Sequence, residues 1–448
     1  MLKHLQKEDP QLYTIIKGEE KRQKEGLEMI PSENYVSSAV EEAVGSVLEN
    51  KYAEGYPKKR YYTGNEYVDP LESTAQERAK KLFGVVHANV QPLSGAPANL
   101  EIYAAIFQEG DVALSQLLSH GGHLSMGQTA SYTSKYYPTQ FYHLTDDGEI
   151  DFDELRALAR KVKPKIIWAG GTAYTKIFKW EKYAEIADEV GAYFIADISH
   201  IGGLVAGKSH PSPAKYAHVI MTTTHKTLRG PRGAMILVTE KGLKKDPDLP
   251  RKIDYAVFPG LQGGPHMNKI AGIAVALKEA ATPAFKKYSA QIVANSKTLA
   301  AEFKKYGFTL IGGGSENHMI WMDLRNKGIE GWHAHVGLEM VHIFGNKQTI
   351  PNDPKSPFFP SGYRLGTPAL TTRGMKEKDM KTVAAFINEG IEILRALNKE
   401  GMSTGDKDKD KKARDAFKLR LVKSKELAAL RKKVIAFAKK FPVPTEEK

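Results

Sequence analysis

Three short apolar runs, separated by helical or loop segments, limit most strongly how this chain can fold. They are KPKIIWAGG, AYFIAD and AHVIMTTT, and the segment KWEKYAEIADEVG between the first two has the spacing of an amphipathic helix. Apolar strands that alternate with helices are typical of a mostly parallel sheet that is buried on both faces. The pattern therefore predicts an α/β fold with helices on both sides of the sheet.

The rest of the chain adds a second, smaller unit. Beyond a glycine-rich turn, GAMILVT reads as a strand close enough to its neighbour to run antiparallel to it. A long helical stretch from Pro283 to Tyr306 then leads into further short strands. We therefore predict an N-terminal arm over 1–30, a large domain over 31–280 and a smaller α+β domain over 281–448.

Composition excludes several kinds of chemistry. The 448 residues include no cysteine, which rules out disulfides, thiolate metal sites and a cysteine nucleophile. The N-terminal segment has no apolar run long enough for a signal peptide, and its acidic residues argue against an organellar presequence. No later segment reads as a membrane span. We therefore expect a cytoplasmic protein without a membrane partner.

The net charge of +13 raises the question of a nucleic-acid partner. Residues 401–448 hold 15 Lys and Arg against seven Asp and Glu, so this last tenth of the chain carries +8 of the total. Its stretch GDKDKDKKARDAFKLR alternates in sign, which is typical of a solvated loop that leads into an exposed helix. No aromatic residues are interleaved with the alternating charges of GDKDKDKKARD for base stacking. Nucleic-acid binding is therefore not expected, although an RNA-binding protein remains an alternative.

Polar residues follow several predicted strands, at the edge where open parallel sheets bind ligands. Asp197 ends AYFIAD, and Lys226 follows AHVIMTTT 29 residues later. Ser94 and Gly95 stand between a short strand and a helix whose N-terminus suits a phosphate group. An amine, a carboxylate and a phosphate site are what pyridoxal phosphate requires, with Lys226 forming a Schiff base and Asp197 facing the ring nitrogen.

Each of these features also has an ordinary structural explanation. A turn of small residues needs no phosphate, an aspartate at a strand end can cap a helix, and any one lysine can be a surface residue. Arg364, in the later segment GYRLGTPAL, can likewise be a structural arginine that caps a strand end. His120 and His123 in HGGH raise the question of a metal, but two imidazoles without a nearby acid make a poor site. We therefore predict no metal.

Eight segments of the chain resemble signature segments of the serine hydroxymethyltransferase family. In chain order they are PSENYVS, KYAEGYPKKRYYTGNEYVD, FGVVHANVQPLSGAPAN, HGGHLS, TTTHKTLRGPRG, VFPGLQGGPH, PNDPKSPF and GYRLGTPALTTRG. They follow the family's order over most of the chain, from about residue 29 to 374. The resemblance implies a fold-type I pyridoxal phosphate enzyme, with a seven-stranded, mostly parallel sheet in the large domain.

The same resemblance implies an activity and its partners. The family exchanges a one-carbon unit between serine and glycine, with pyridoxal phosphate as cofactor and tetrahydrofolate as carrier. It works as a homodimer, because each active site takes residues from both subunits. The chain should therefore be a glycine hydroxymethyltransferase.

The resemblance also implies a set of site residues. Cofactor binding is assigned to Ser94, Gly95, His123, Thr172, Asp197, His200, His225 and Lys226, with the partner's Gly263 and Gly264. Substrate binding is assigned to Ser32, Tyr52, Glu54, Tyr62 and Arg364, and folate binding to Leu118, Gly122 and Gln348. Catalytic roles are assigned to Lys226, Glu54, Asp197, His200 and Tyr62.

Individual roles follow from the same resemblance. Lys226 should bind the cofactor aldehyde, and Asp197 should pair with the pyridine nitrogen beneath the stacked ring of His123. Arg364 should clamp the substrate carboxylate, for which a guanidinium is well suited. Glu54 should transfer a proton at the serine hydroxyl and the folate.

Two departures from the family pattern bear on these expectations. Ala96 stands where the family commonly has serine, which removes one hydroxyl contact to the phosphate. Gln348 stands where asparagine is frequent, near the pterin. A folate-independent aldolase acting on β-hydroxy amino acids therefore remains an alternative, because it would need Lys226 and Asp197 but not Glu54.

Overall fold

The computed structural model describes residues 2–444, in which strands and helices alternate along most of the chain. The strands are Leu27–Glu28 (β1), Gly55–Tyr56 (β2), Lys59–Arg60 (β3), His87–Asn89 (β4), Ala113–Gln116 (β5), Thr139–Tyr142 (β6), Ile166–Ala169 (β7), Tyr193–Asp197 (β8), Val219–Thr223 (β9), Ala234–Val238 (β10), Thr309–Leu310 (β11), Met319–Asp323 (β12), Ile343–Phe344 (β13), Asn346–Gln348 (β14) and Gly362–Gly366 (β15). The α-helices are Lys3–Glu8 (α1), Pro10–Glu25 (α2), Ser38–Val44 (α3), Val68–Phe83 (α4), Gly95–Ile106 (α5), Phe152–Val162 (α6), Trp180–Val190 (α7), Gly202–Ala206 (α8), Glu240–Lys245 (α9), Leu249–Tyr255 (α10), Met267–Ala280 (α11), Pro283–Lys305 (α12), Gly331–Met340 (α13), Pro368–Thr372 (α14), Glu377–Leu397 (α15), Lys407–Lys423 (α16) and Lys425–Ala438 (α17).

A sheet of seven strands forms the centre of the larger part of the molecule. Its order is β4-β10-β9-β8-β7-β5-β6. Only β10 runs antiparallel to its neighbours, whereas the pairs from β9 to β6 are all parallel. Every residue of β7, β9 and β10 is buried, because helices cover both faces. The predicted mostly parallel sheet is confirmed, and GAMILVT is its antiparallel strand.

The helix predicted between the first two apolar runs is α7. It buries Trp180, Tyr183 and Ala187 against the sheet and ends at Gly191. Gly191 has a φ of 73°, a left-handed conformation that glycine adopts without a steric cost. The chain then turns directly into β8, whose last residue is Asp197. Local sequence thus places this carboxylate at the edge of the sheet where the C-terminal ends of the parallel strands meet.

The smaller unit is built on an antiparallel sheet of order β11-β12-β15-β14. The predicted helix that leads into it is α12, which begins after the capping residue Thr282 and runs to Lys305. Among residues 2–444, neither α12 nor another helix is long and apolar enough to cross a membrane. Strand β15 carries Arg364.

The charged C-terminal stretch is more helical than the sequence suggested. Helix α16 begins at Lys407, because the Asp406 side chain accepts hydrogen bonds from the amides of Asp408 and Lys409. The alternating charges therefore lie on the first turns of a helix rather than in a loop. Helix α17 then buries its apolar face in the core of the smaller unit.

The N-terminal arm packs on this smaller unit. Strand β1 pairs in parallel with β13, and α2 contacts α17. The buried guanidinium of Arg373 donates to the carbonyls of Gly26 and Ala438, so it caps the C-terminal ends of both helices. The boundaries at residues 30 and 280 stay a prediction. Met1 and residues 445–448, which belong to the predicted arm and small domain, lie outside the described residues.

Glu101, on α5, is a buried carboxylic acid that the predicted site does not use. Neither of its carboxyl oxygens has a hydrogen-bond partner within residues 2–444. Burial raises the pKa of Glu101 to about 8, because no nearby charge compensates for the loss of water. The folded protein therefore holds this group protonated at neutral pH.

Glu101→Gln is expected to flatten the pH dependence of stability. In the wild type the unfolded carboxyl ionises near pH 4.5, while the folded one stays protonated to about pH 8. The folded state binds the extra proton in this window, so Glu101 lowers the free energy of unfolding by about 1.4 kcal/mol per pH unit as pH rises. Urea unfolding of the variant and of the exposed control Glu109→Gln measures the slope. Parallel curves for wild type and Glu101→Gln would contradict the prediction.

Candidate active site

A cavity of about 470 Å³ opens beyond the C-terminal ends of β8 and β9. Such a size is typical of small-molecule sites. Ten of the assigned site residues line it, namely Ser32, Ser94, Gly95, His123, Thr172, Asp197, His200, His225, Lys226 and Arg364. The parallel strands end together at this edge, and β15 brings Arg364 from the smaller unit. The fold therefore joins residues from distant parts of the chain in one place.

Lys226 lies three residues beyond the end of β9 and is buried. Its amine makes no hydrogen bond or ion pair with any described residue. Burial lowers the pKa of Lys226 to about 8, although the nearby carboxylate of Asp197 acts against this. A substantial fraction of the amine is thus neutral near physiological pH, which is the form that attacks an aldehyde.

One end of the cavity is suited to an anion. Helix α5 begins at Gly95, and the Ser94 hydroxyl before it makes no capping hydrogen bond. A Cβ atom on Gly95 would lie 2.7 Å from a methyl group of Thr223, so only glycine fits here. The buried Nδ1 of His225 also lacks a partner within residues 2–444. Free amides, a hydroxyl and an unpaired imidazole nitrogen together form a cradle for a phosphate group.

Asp197 and His123 also line the cavity. The two carboxylate oxygens of Asp197 accept hydrogen bonds from the Ser199 amide at 2.9 Å and from Asn99 Nδ2 at 3.2 Å. Burial lowers the pKa of His123, although the carboxylate of Asp197 opposes this shift. The carboxyl group of Asp197 and the neutral ring of His123 therefore face the same space.

Arg364 is a buried cation without a carboxylate partner among the described residues. Its guanidinium donates to the Thr172 carbonyl and, at 3.0 Å, to Asn346 Oδ1. Burial lowers the pKa of Arg364, yet a guanidinium stays charged at neutral pH. An unpaired buried charge is costly, so a carboxylate ligand that enters the cavity would be strongly favoured.

His200 packs against a histidine that the sequence did not single out. The rings of His200 and His318 lie 5.6 Å apart and nearly parallel, and Nδ1 of the first is 3.4 Å from Nε2 of the second. Burial holds the pKa of His200 well below its usual range and lowers that of His318 to about 3. Both imidazoles are therefore neutral at physiological pH.

The other predicted substrate and phosphate residues form a second, separate cluster. The Tyr52 hydroxyl donates to Oε1 of Glu54 at 3.0 Å, and the rings of Tyr52 and Tyr62 meet edge to face at 5.0 Å. A Cβ atom on Gly263 would lie 3.1 Å from the same Glu54 oxygen, and one on Gly264 would lie 2.9 Å from the Tyr52 ring. None of these five residues lines the cavity around Lys226. The described chain thus holds two groups of site residues, which we call the lysine half-site and the glutamate half-site.

Arg60 holds the loop that carries the glutamate half-site. Its Nη1 donates at 2.9 Å to the carbonyls of Ala53 and Gly55, on either side of Glu54. Its Nη2 donates at 2.7 Å to the fully buried Glu72. The backbone around Glu54 is therefore fixed by a buried ion pair, even though the side chain of Tyr52 is half exposed.

Comparison with known proteins supports the same interpretation. The family model for serine hydroxymethyltransferase matches residues 5–387. The chain belongs to the serine hydroxymethyltransferase family. A curated serine hydroxymethyltransferase from Acidothermus cellulolyticus is 51% identical over 396 residues, which cover 88% of this chain and 91% of the relative.

Membership of the family establishes the class of enzyme. The chain is a fold-type I, pyridoxal phosphate-dependent transferase that interconverts serine and glycine with tetrahydrofolate as cosubstrate. The lysine half-site fits this cofactor on its own geometry, because it offers an unpaired amine, a phosphate cradle with an orphaned imidazole nitrogen, and a carboxylate. Within residues 2–444 there is no group of three or more His, Asp or Glu that could hold a metal ion.

The residues assigned to folate in the serine hydroxymethyltransferase family lie around the cavity rather than in its lining. The Gly122 carbonyl accepts a hydrogen bond from Thr172 Oγ1 at 3.0 Å, and the Leu118 amide is held by Gln128. Gln348 is half-buried on β14, two residues from Asn346 and therefore on the same face of that strand. Their contact with folate stays a prediction.

Several residues around the site were missed by sequence reasoning. Asn99, Ser125, His318 and Asn346 each hydrogen-bond to a residue of the lysine half-site. Asn99 lies one helical turn beyond Gly95, and Ser125 lies two residues after His123. These short spacings were the only feature of the sequence that could have pointed to Asn99 and Ser125, and a short spacing does not by itself indicate a contact.

Proposed function

We propose that the serine–glycine interconversion takes place in the lysine half-site, with the roles that the sequence assigned. The observation that carries this proposal is the buried, unpaired amine of Lys226 in one cavity with Asp197 and the free N-terminus of α5. A structural lysine would be expected to pair with an acid or to reach solvent. Here the amine has no acid partner among the described residues, and only 8% of Lys226 is exposed.

Binding of the cofactor would use both ends of the cavity. Ser94, Gly95 and His225 hold the phosphate, and His123 packs on the ring. Asp197 holds a proton on the ring nitrogen, because its carboxylate is fixed and faces the cavity. When bound, pyridoxal phosphate supplies an aldehyde for covalent attachment and a ring that accepts electrons.

Serine would bind beside the cofactor through its carboxylate. Arg364 forms two parallel, charge-assisted hydrogen bonds to this group, with Ser32 assisting. The carbonyl of Thr172 and the amide of Asn346 already hold the guanidinium in place, so it needs little reorganisation. Lys226, with a pKa of about 8, can accept and return a proton as the amino acid enters and leaves.

The glutamate half-site would complete the cavity of a second copy of the chain. Glu54 then moves a proton at the serine hydroxyl and the folate, Tyr52 and Tyr62 lie beside it, and Gly263 and Gly264 reach the phosphate. Two facts support a homodimer: these residues do not line their own chain's cavity, and large apolar side chains around them are exposed, including Val47, Tyr61, Tyr67 and Leu261. A symmetric dimer buries such a surface twice.

The folate dependence of serine cleavage tests the proposed reaction. Purified protein with pyridoxal phosphate should convert serine to glycine on the order of 100-fold faster with tetrahydrofolate than without it, because carrier and proton donor act together. Glycine formed at equal rates in both reactions would indicate the folate-independent aldolase instead. The cytoplasmic location is proposed on the sequence alone, and cell fractionation would test it.

A further inference from the structure

Two buried side chains connect Asp197 to His123. Asn99 Nδ2 lies 3.2 Å from one oxygen of Asp197 and 2.8 Å from Ser125 Oγ, which in turn lies 2.7 Å from Nδ1 of His123. All four residues are buried or nearly so, and Asn99 is completely inaccessible. A continuous chain of hydrogen bonds therefore runs beneath the cavity, from the carboxylate to the imidazole.

The direction of each hydrogen bond can be worked out from the groups involved. The NH₂ group of Asn99 faces Asp197 and donates to one of its carboxyl oxygens, and it also donates to Ser125 Oγ. The hydrogen of the Ser125 hydroxyl is then left for Nδ1 of His123. The Ser125 backbone amide also donates to this nitrogen at 3.2 Å, and a backbone N–H cannot accept. Nδ1 of His123 therefore carries a lone pair and not a proton.

This arrangement determines the chemical form of His123. A neutral imidazole with a lone pair on Nδ1 carries its hydrogen on Nε2. Protonation of the ring would place a hydrogen on Nδ1, opposite the Ser125 backbone N–H, and would break that hydrogen bond; the Ser125 hydroxyl would also have to turn from donor to acceptor. A neutral ring also avoids repulsion of a protonated pyridine ring stacked on it. Burial favours the same neutral form.

We propose that Asn99 and Ser125 are positioning residues that hold His123 as the Nε2–H tautomer and orient it together with Asp197. The inference rests on the proposed cofactor site, because it concerns the two residues that enclose the cofactor ring there. It adds that the two are coupled: the amide of Asn99 bonds to Asp197 and, through Ser125, to His123. Loss of Ser125 should therefore disturb His123 first, and loss of Asn99 should disturb both.

The tautomer can be measured without cofactor. Protein labelled with ¹⁵N-histidine gives nitrogen shifts that distinguish the two neutral tautomers and the imidazolium, and His123→Gln identifies the His123 signals. We expect Nε2–H in the wild type. In Ser125→Ala we expect a mixture of tautomers and a higher pKa, whereas Ser125→Thr, which keeps the hydroxyl, should restore the wild-type signals. Ser115→Ala is the matched control, because this buried hydroxyl bonds to the Met126 carbonyl instead.

Cofactor affinity provides the second measurement. We expect the Kd for pyridoxal phosphate to rise about tenfold in Ser125→Ala and Asn99→Ala, as is usual when the partner that orients a binding side chain is lost. An Nδ1–H signal in the wild type, or Ser125→Ala spectra identical to those of Ser115→Ala, would overturn the proposal. Failure of the wild type to bind pyridoxal phosphate would instead count against the proposed cofactor site, since the NMR result does not depend on it.

Discussion

Lys226→Ala is expected to give a folded, colourless protein whose serine turnover falls on the order of 1000-fold or more, because the covalent attachment of the cofactor is lost. The fold should survive, since the amine makes no hydrogen bond or ion pair with the described residues. Removal of a buried, unpaired amine should leave stability unchanged or increase it. Visible absorption with pyridoxal phosphate, serine turnover and the Tm of the cofactor-free protein measure the three effects.

The neighbouring exposed lysine provides the control. Lys215 is exposed and lies just before β9, so Lys215→Ala should retain both colour and turnover. Lys226→Arg keeps a positive charge but cannot attach the cofactor, so it separates covalent chemistry from simple charge. Wild-type absorption or turnover in Lys226→Ala would show that another group binds the aldehyde.

Glu54→Gln and Lys226→Ala are each expected to be inactive alone, and a mixture of the two is expected to recover serine turnover. Glu54→Gln should lose serine turnover with folate by on the order of 100-fold or more, because proton transfer is lost. If the proposed dimer shares its active sites, a heterodimer of Glu54→Gln with Lys226→Ala would contain one complete site, because the intact lysine half-site of one chain would meet the intact glutamate half-site of the other. Random pairing of equal amounts makes half of the dimers mixed, so about a quarter of the wild-type turnover should return.

The result depends on which residues share a half-site. Lys226→Ala mixed with Arg364→Ala should stay inactive, because both residues line the same cavity and no pairing completes it. Co-expression of two tagged chains followed by purification on both tags isolates the mixed dimer. The shared site would be refuted if the purified mixed dimer of Glu54→Gln with Lys226→Ala were inactive. Full turnover by Glu54→Gln alone would refute it as well.

Several residues of the lysine half-site could be predicted from the sequence immediately around them. Asp197 and Lys226 were predicted because each follows an apolar run, and parallel strands end at the same edge of a sheet. Gly95 was predicted because small residues stand before a helical segment. These inferences need only strand direction and helix start, which depend on residues close together in the chain. The family resemblance then added roles that spacing could not supply.

The hydrogen bonds around this half-site could not be predicted from local sequence. Asn99 and Asp197 are 98 residues apart, and Arg364 and Thr172 are 192 apart. Nothing local distinguishes Asn99 from a helix-surface asparagine, because its role depends on what the sheet places opposite it. At the charged C-terminal stretch the missed contact is local. The sequence analysis predicted a loop there, but the Asp406 side chain caps a helix that begins at Lys407.

The sequence by itself determined the α/β class, the direction of the central sheet, the edge where ligands bind and the lysine at that edge. These follow from the periodicity of apolar residues and from turn chemistry, both of which act over a few residues. Only the tertiary structure decided that Glu54 lies outside the cavity of Lys226, and that Asn99 joins Asp197 to His123. Such contacts depend on packing between elements distant in the chain, where small changes of angle and position decide which polar atoms meet.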